Sequence, residues 1–131
     1  MAMSIQIQFT DDDKSRIKDR HDQTVADRLE TAINSKNDTL QWKKNIEGCR
    51  KRFYNTIEKN GQVFPEMFFK AHSADYRAVL AWIPDEEKFV VLTVVLKQDH
   101  YQSSKQHAVL EQIYKHPRRV ISQAKQELSV V

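Results

Sequence analysis

The sequence predicts an α+β domain: an N-terminal strand and a helical hairpin packed on a small, mainly antiparallel sheet, closed by a C-terminal helix. Three observations lead there. A short period-2 segment opens the chain, long helix-period segments follow, and residues 63–97 hold three strand-like runs in succession. At 131 residues, 40% hydrophobic and 30% charged, the chain is sized for one domain, 1–131, with one core; this composition excludes disordered and fibrous classes.

Ile5, Ile7 and Phe9 alternate with polar residues, the pattern of a half-buried strand. Thr10 then caps a helix whose first turn carries Asp11, Asp12 and Asp13 on the positive end of its dipole. This helix is expected to run to about Ile33, with Ile17, Val25, Leu29 and Ile33 near one face. Residues 35–38, Ser-Lys-Asn-Asp, read as a turn. A second helix is expected next, because Trp42, Ile46, Cys49, Phe53 and Ile57 recur at steps of four, three, four and four, and Asn60-Gly61 would stop it. Cys49 within that stripe reads as a packed core thiol.

The strands follow. Residues 63–72 form the first, with Pro65 near its start, and residues 72–75 turn into a second over 76–83. Residues 84–87 turn into a third over 88–97, whose run Phe89-Val90-Val91-Leu92-Thr93-Val94-Val95-Leu96 is apolar on both faces and therefore central in the sheet. Beyond Tyr101 the chain becomes helical again. Pro117 suits the first position of a final helix lined by Val120, Ile121, Ala124 and Leu128.

No apolar run approaches the roughly 18 residues a membrane span requires, and no signal peptide is visible; with a single Cys, the chain reads as cytoplasmic. The net charge of +3 is uneven. Residues 1–35 carry five basic and seven acidic side chains, residues 36–131 sixteen and eleven, so positive potential gathers in the later part. Lys70, Arg77 and Lys97 stand near the strand edges and would converge if the strands pair as antiparallel neighbours. With no acid beside them, such a cluster suggests a surface that meets phosphate; the plainer reading is solvated strand-end charge. The histidines lack metal-ligand spacing and two glycines could hardly build a phosphate loop, so no metal or cofactor is expected.

The order β-α-α-β-β-β-α, with PEMFFKAHSADYRAVLAWIPDEEKFVVLTVVLK and HPRRVISQAKQEL, resembles the RelE/ParE superfamily of type II toxin–antitoxin toxins, closest to its RelE and HigB branches. The likeness covers residues 63–131 in sequence and 1–62 in element order. Arg77 lies seven residues after Lys70 and Lys97 twenty after Arg77, as in the ribosome-dependent enzymes of that family.

The resemblance implies cleavage of messenger RNA on the ribosome without a metal: the 2′-hydroxyl attacks the adjacent phosphate and leaves a 2′,3′-cyclic phosphate. Such a site needs a base, donors for the phosphoryl oxygens and an acid for the leaving 5′-oxygen. By the same resemblance Arg77 holds the phosphate bidentately, and Lys70 is a basic position that could act as base only if cationic neighbours lowered its pKa. Lys97 is the acid or an electrostatic stabiliser, and Tyr101 stacks on a base although it stands two residues early. His100 adds a group that titrates near neutral pH. A cognate antitoxin protein is the implied partner. Phe68 replaces a second strand lysine of the family, and about ten extra residues separate Lys97 from Pro117. Two other readings are a ParE-like toxin that inhibits gyrase by binding, and a non-catalytic nucleic-acid- or protein-binding module on the same scaffold. The nuclease reading expects Arg77→Ala to abolish toxicity with folding intact.

Overall fold

The computed structural model describes residues 6–39, 53–84, 86–96 and 104–129. β1 (Gln6–Gln8) leads into α1 (Asp11–Arg20) and α2 (Gln23–Thr39). β2 (Asn55–Lys59), β3 (Gln62–Ala71), β4 (Ala74–Ile83) and β5 (Lys88–Leu96) follow, then α3 (Ser104–Lys115) and α4 (Pro117–Ser129). The strands form one sheet in the order β1-β5-β4-β3-β2, antiparallel throughout except that β1 runs parallel to β5. The fold is α+β, as the sequence predicts.

Thr10 caps α1 reciprocally. Its Oγ1 accepts from the Asp13 amide at 3.1 Å, and its own amide donates to Asp13 Oδ2 at 3.2 Å. The helix expected to continue to Ile33 instead breaks at His21-Asp22. Asp22 Oδ1 accepts from the Val25 amide at 3.0 Å and so caps a new helix, which folds back on the first. Lys14 ties the two together, 3.3 Å from Asp27 and 2.8 Å from Glu30. The helical hairpin is therefore α1 with α2.

The turn expected over residues 35–38 is helical, because α2 runs on to Thr39. Asn37 accounts for the difference. Its Oδ1 accepts from the Ile7 amide at 3.0 Å and its Nδ2 donates to the Ile7 carbonyl at 3.2 Å. One carboxamide thus satisfies both backbone groups of the central residue of β1, and this tertiary gain outweighs a weak local propensity.

Residues 53–59 do not form the second predicted helix. Phe53 lies outside any helix and Ile57 lies in β2, paired with Phe64. Asn60-Gly61 is not a helix stop but a two-residue hairpin turn: both residues have positive φ, 52° and 79°, and Lys59 pairs with Gln62. Trp42, Ile46 and Cys49 lie outside the described residues.

Alternation along β4 sends Ala78, Leu80 and Trp82 to one face of the sheet and Val79, Ala81 and Ile83 to the other. Ile17, Val25, Leu29 and Ile33 of α1 and α2 cover the first face; Leu110 and Ile113 of α3, with Val120 and Ile121 of α4, cover the second. Two helical layers thus sandwich the sheet, which explains why β5 is apolar on both sides. Among the described residues no helix is long and apolar enough to cross a membrane.

Candidate functional site

The antiparallel pairing of β3 with β4 decides where the predicted basic residues fall. Phe68 stands opposite Arg77 and Lys70 opposite Asp75. With the period of two, Glu66, Phe68 and Lys70 share a face with Asp75 and Arg77, the face whose interior part α3 and α4 cover. Lys70 and Arg77 are thus neighbours on one surface, as antiparallel strands require.

The cluster is not free of acids, contrary to expectation. Arg77 Nη1 lies 3.3 Å from Glu66 Oε2; the Glu66 side chain is fully buried and that of Arg77 only 17% exposed. Lys70 Nζ lies 3.8 Å from Asp75 Oδ1 on a side chain 69% exposed. A carboxylate therefore stands beside each cation. Among the described residues Asp75 is the ion-pair partner of Lys70, and Arg77 lies diagonally across the strands from it.

Tyr54 completes the arrangement. Its amide donates to the Glu66 carbonyl at 3.0 Å, which fixes the chain just before β2 against β3. Its ring lies 5.1 Å below the Arg77 guanidinium and 5.6 Å from the Phe68 ring, while the residue stays 52% exposed. Arg77 is thus held from one side by a buried carboxylate and from another by an exposed aromatic face. Phe68 supports that aromatic face. Lys97, His100 and Tyr101 lie outside the described residues.

Sequence reasoning missed two features here. Glu66 is the one acid within residues 62–71, an otherwise apolar strand but for Gln62 and Lys70, and that isolation was its signal. The second is a linked group on the opposite face, at the same end of the sheet. His72 Nε2 lies 2.9 Å from Asp22 Oδ2, joining the β3–β4 turn to the α1–α2 junction. His21 Nε2 lies 3.1 Å from the Val94 carbonyl, and its ring meets Tyr76 edge-on at 5.5 Å. His72 and Ser73 both adopt positive φ, 52° and 63°, unusual for residues with side chains. The hydrogen bond from the Val25 amide, with the charge of His72 behind it, holds the Asp22 carboxyl below its ordinary range. Burial, then the charge of Asp22, pushes the Tyr76 phenol above its ordinary value.

A cavity of about 430 Å³ lies elsewhere, between α1 and the outer edge of β5 past its pairing with β1. Asp13, Arg16, Asp19, Arg20 and His21 line it with Val91–Val94. Its charges are mixed, and Arg20 Nη1 donates to Thr93 Oγ1 at 3.4 Å. No family model, curated protein or solved structure matches this chain.

Proposed function

We propose that the chain is a toxin of the RelE/ParE type that acts on ribosome-bound messenger RNA through the face bearing Lys70 and Arg77. The observation that carries this reading is the placement of both cations on one surface of adjacent strands, with Arg77 oriented by Glu66 and Tyr54. An arginine held this way loses little side-chain entropy on meeting a phosphate. Tyr54, half exposed beside it, offers a face on which a base stacks.

In this mechanism the RNA 2′-oxygen forms the new bond to phosphorus while the bond to the 5′-oxygen breaks. The proton of the 2′-hydroxyl passes to a base and another is delivered to the leaving oxygen. Arg77 and Lys70 stabilise the charge that builds on the phosphoryl oxygens. The proton transfers fall to Lys97 and His100, with Tyr101 stacking on a base. The protein would work in the cytoplasm, held inactive by an antitoxin that covers this face.

A second reading is favoured by the carboxylates. Glu66 and Asp75 offset the two cations, which suits a non-catalytic nucleic-acid- or protein-binding module. Inducible expression separates the two, with growth and mRNA ends followed together. The variants are Lys70→Ala, which removes an exposed side chain, and the double variant Glu66→Gln/Arg77→Gln. Growth arrest with codon-phased mRNA ends that both variants lose supports the nuclease. Arrest without new ends points to gyrase or another bound target. Absence of arrest leaves the binding module.

A further inference from the structure

At the end of the sheet opposite Lys70, the β2–β3 hairpin meets the junction of α3 and α4. Asn60 Nδ2 donates to the Tyr114 carbonyl at 2.5 Å, which joins the hairpin tip to the end of α3. Beside this contact is an open hollow of about 370 Å³ lined by Asn60, Lys115, His116, Pro117, Arg118 and Arg119. Four of these side chains can be cationic and none is acidic.

Lys115 reaches Glu111 at 3.1 Å. His116, Arg118 and Arg119 are exposed, and among the described residues their side chains take no ion pair or hydrogen bond. Residues 104–129 hold five Lys or Arg against two Glu, a net of +3. That equals the net charge of the whole chain, so the remaining residues sum to zero. The formal net charge is thus carried by residues 104–129, and three of their five Lys and Arg line the hollow.

The chemistry of the cations selects the ligand. Arginine is weakly hydrated and presents planar donors that match phosphate oxygens. The hollow is shallow and lacks enclosing walls, so a lone small anion would keep most of its water. Cations spread over an open surface instead suit a polyanion whose successive phosphates each release counterions.

We propose that this corner binds the phosphodiester backbone of single-stranded RNA. The naming of RNA rests on the toxin reading above; the phosphate contact itself does not. The corner is a separate anchor. Gln62 at the hairpin and Lys70 lie eight residues apart on β3, about 26 Å at the rise of a strand. A strand of RNA reaching Lys70 and Arg77 would be gripped a second time, away from the reacting phosphate.

The test uses the full chain and a fluorescein-labelled 2′-O-methyl oligoribonucleotide of about 12 nucleotides, which lacks the attacking hydroxyl. Anisotropy is measured across a salt series for wild type, Arg118→Ala/Arg119→Ala and Arg118→Lys/Arg119→Lys, with circular dichroism to establish the fold of each. Losing two phosphate contacts on a single strand makes the slope of log affinity against log salt shallower by about 1.4. With curves that converge at 1 M salt, this is about a 25-fold loss near 0.1 M. The Lys variant should retain most of the affinity. Absence of wild-type binding, or an Ala variant with unchanged affinity and slope, overturns the proposal. So does an Ala variant that loses only its binding to phosphatidylglycerol vesicles. The two readings fail separately. RNA binding that depends on Arg118 and Arg119 in a protein that cleaves nothing would leave this corner standing without the nuclease. Cleavage lost in Glu66→Gln/Arg77→Gln, with binding indifferent to Arg118 and Arg119, would leave the reverse.

Discussion

Glu66 lies fully buried in β3 with its Oε2 3.3 Å from Nη1 of Arg77 on β4, so the residue that marks the candidate site is also half of an interior ion pair. Any function of Arg77 is therefore coupled to the stability of the fold. A loss of activity on its removal is ambiguous unless folding is measured at the same time.

The first prediction follows from that coupling. Arg77→Ala takes a cationic partner from a buried carboxylate and should cost about 3–5 kcal/mol, enough to remove much of the stability of a small domain. Replacing both charges by apolar residues of similar size, as in Glu66→Leu/Arg77→Met, should be neutral or stabilising by about 1–4 kcal/mol. Chemical denaturation of the two variants checks this. Arg77→Ala is therefore expected to weaken the fold as well as the site, and a double variant that removes both charges, such as Glu66→Gln/Arg77→Gln, is the cleaner probe of function.

A second prediction concerns Asn37, whose amide makes both hydrogen bonds to Ile7. Asn37→Ala should cost about 1–3 kcal/mol, because two backbone groups of β1 lose their partner. Asn37→Asp keeps the acceptor for the Ile7 amide but faces its carbonyl with a second oxygen, so it should not restore the loss. Hydrogen exchange at the Ile7 amide, faster in Asn37→Ala than in wild type, would locate the effect in β1.

Gly61 provides the third. Its φ of +79° is a conformation side chains rarely adopt, yet a Cβ built there meets nothing within 4 Å. Gly61→Ala should therefore cost only the backbone strain, about 1–2 kcal/mol, with the hairpin retained. Thermal unfolding measures it. A much larger loss would mean that the turn had rearranged.

What could be read in the sequence follows from how local each signal was. The strands of residues 63–96 were legible to within a residue or two, because the apolar runs are bounded by turn chemistry on both sides. Thr10 and Pro117 marked helix starts through interactions confined to a single turn. The break at Asp22 was hidden, since Ile17, Val25, Leu29 and Ile33 keep one helical face across it. Phe53 and Ile57 misled for the opposite reason: four-residue spacing also arises by chance, and Asn-Gly fits a helix end as well as a hairpin. The tertiary fold resolved that ambiguity through β2–β3 pairing. At the candidate site the sequence placed Lys70 and Arg77 on neighbouring strands. It could not show that Glu66, two positions from Phe68, shares a face with Arg77 until the register was known.

The last prediction is the pH dependence around Asp22. Its folded carboxyl titrates below the ordinary range, mainly through the Val25 amide and then through His72, so the folded state binds its proton less readily than the unfolded chain. This contribution is present above the unfolded value, roughly pH 4, and is lost as pH falls through the folded one. Tyr76 acts at the other limit. Burial raises its folded pKa, so the unfolded chain ionises first, and stability falls as pH rises beyond about 10. Asn caps a helix nearly as well as Asp, and Asp22→Asn should therefore keep α2 intact while flattening the acid limb of the stability–pH curve. It should also lower the Tyr76 pKa, because the charge of Asp22 is the second cause of that shift. Urea denaturation midpoints measured from acid to alkaline pH, with ultraviolet titration of the tyrosines, test both limbs. An unchanged acid limb in Asp22→Asn would show that other carboxylates govern it.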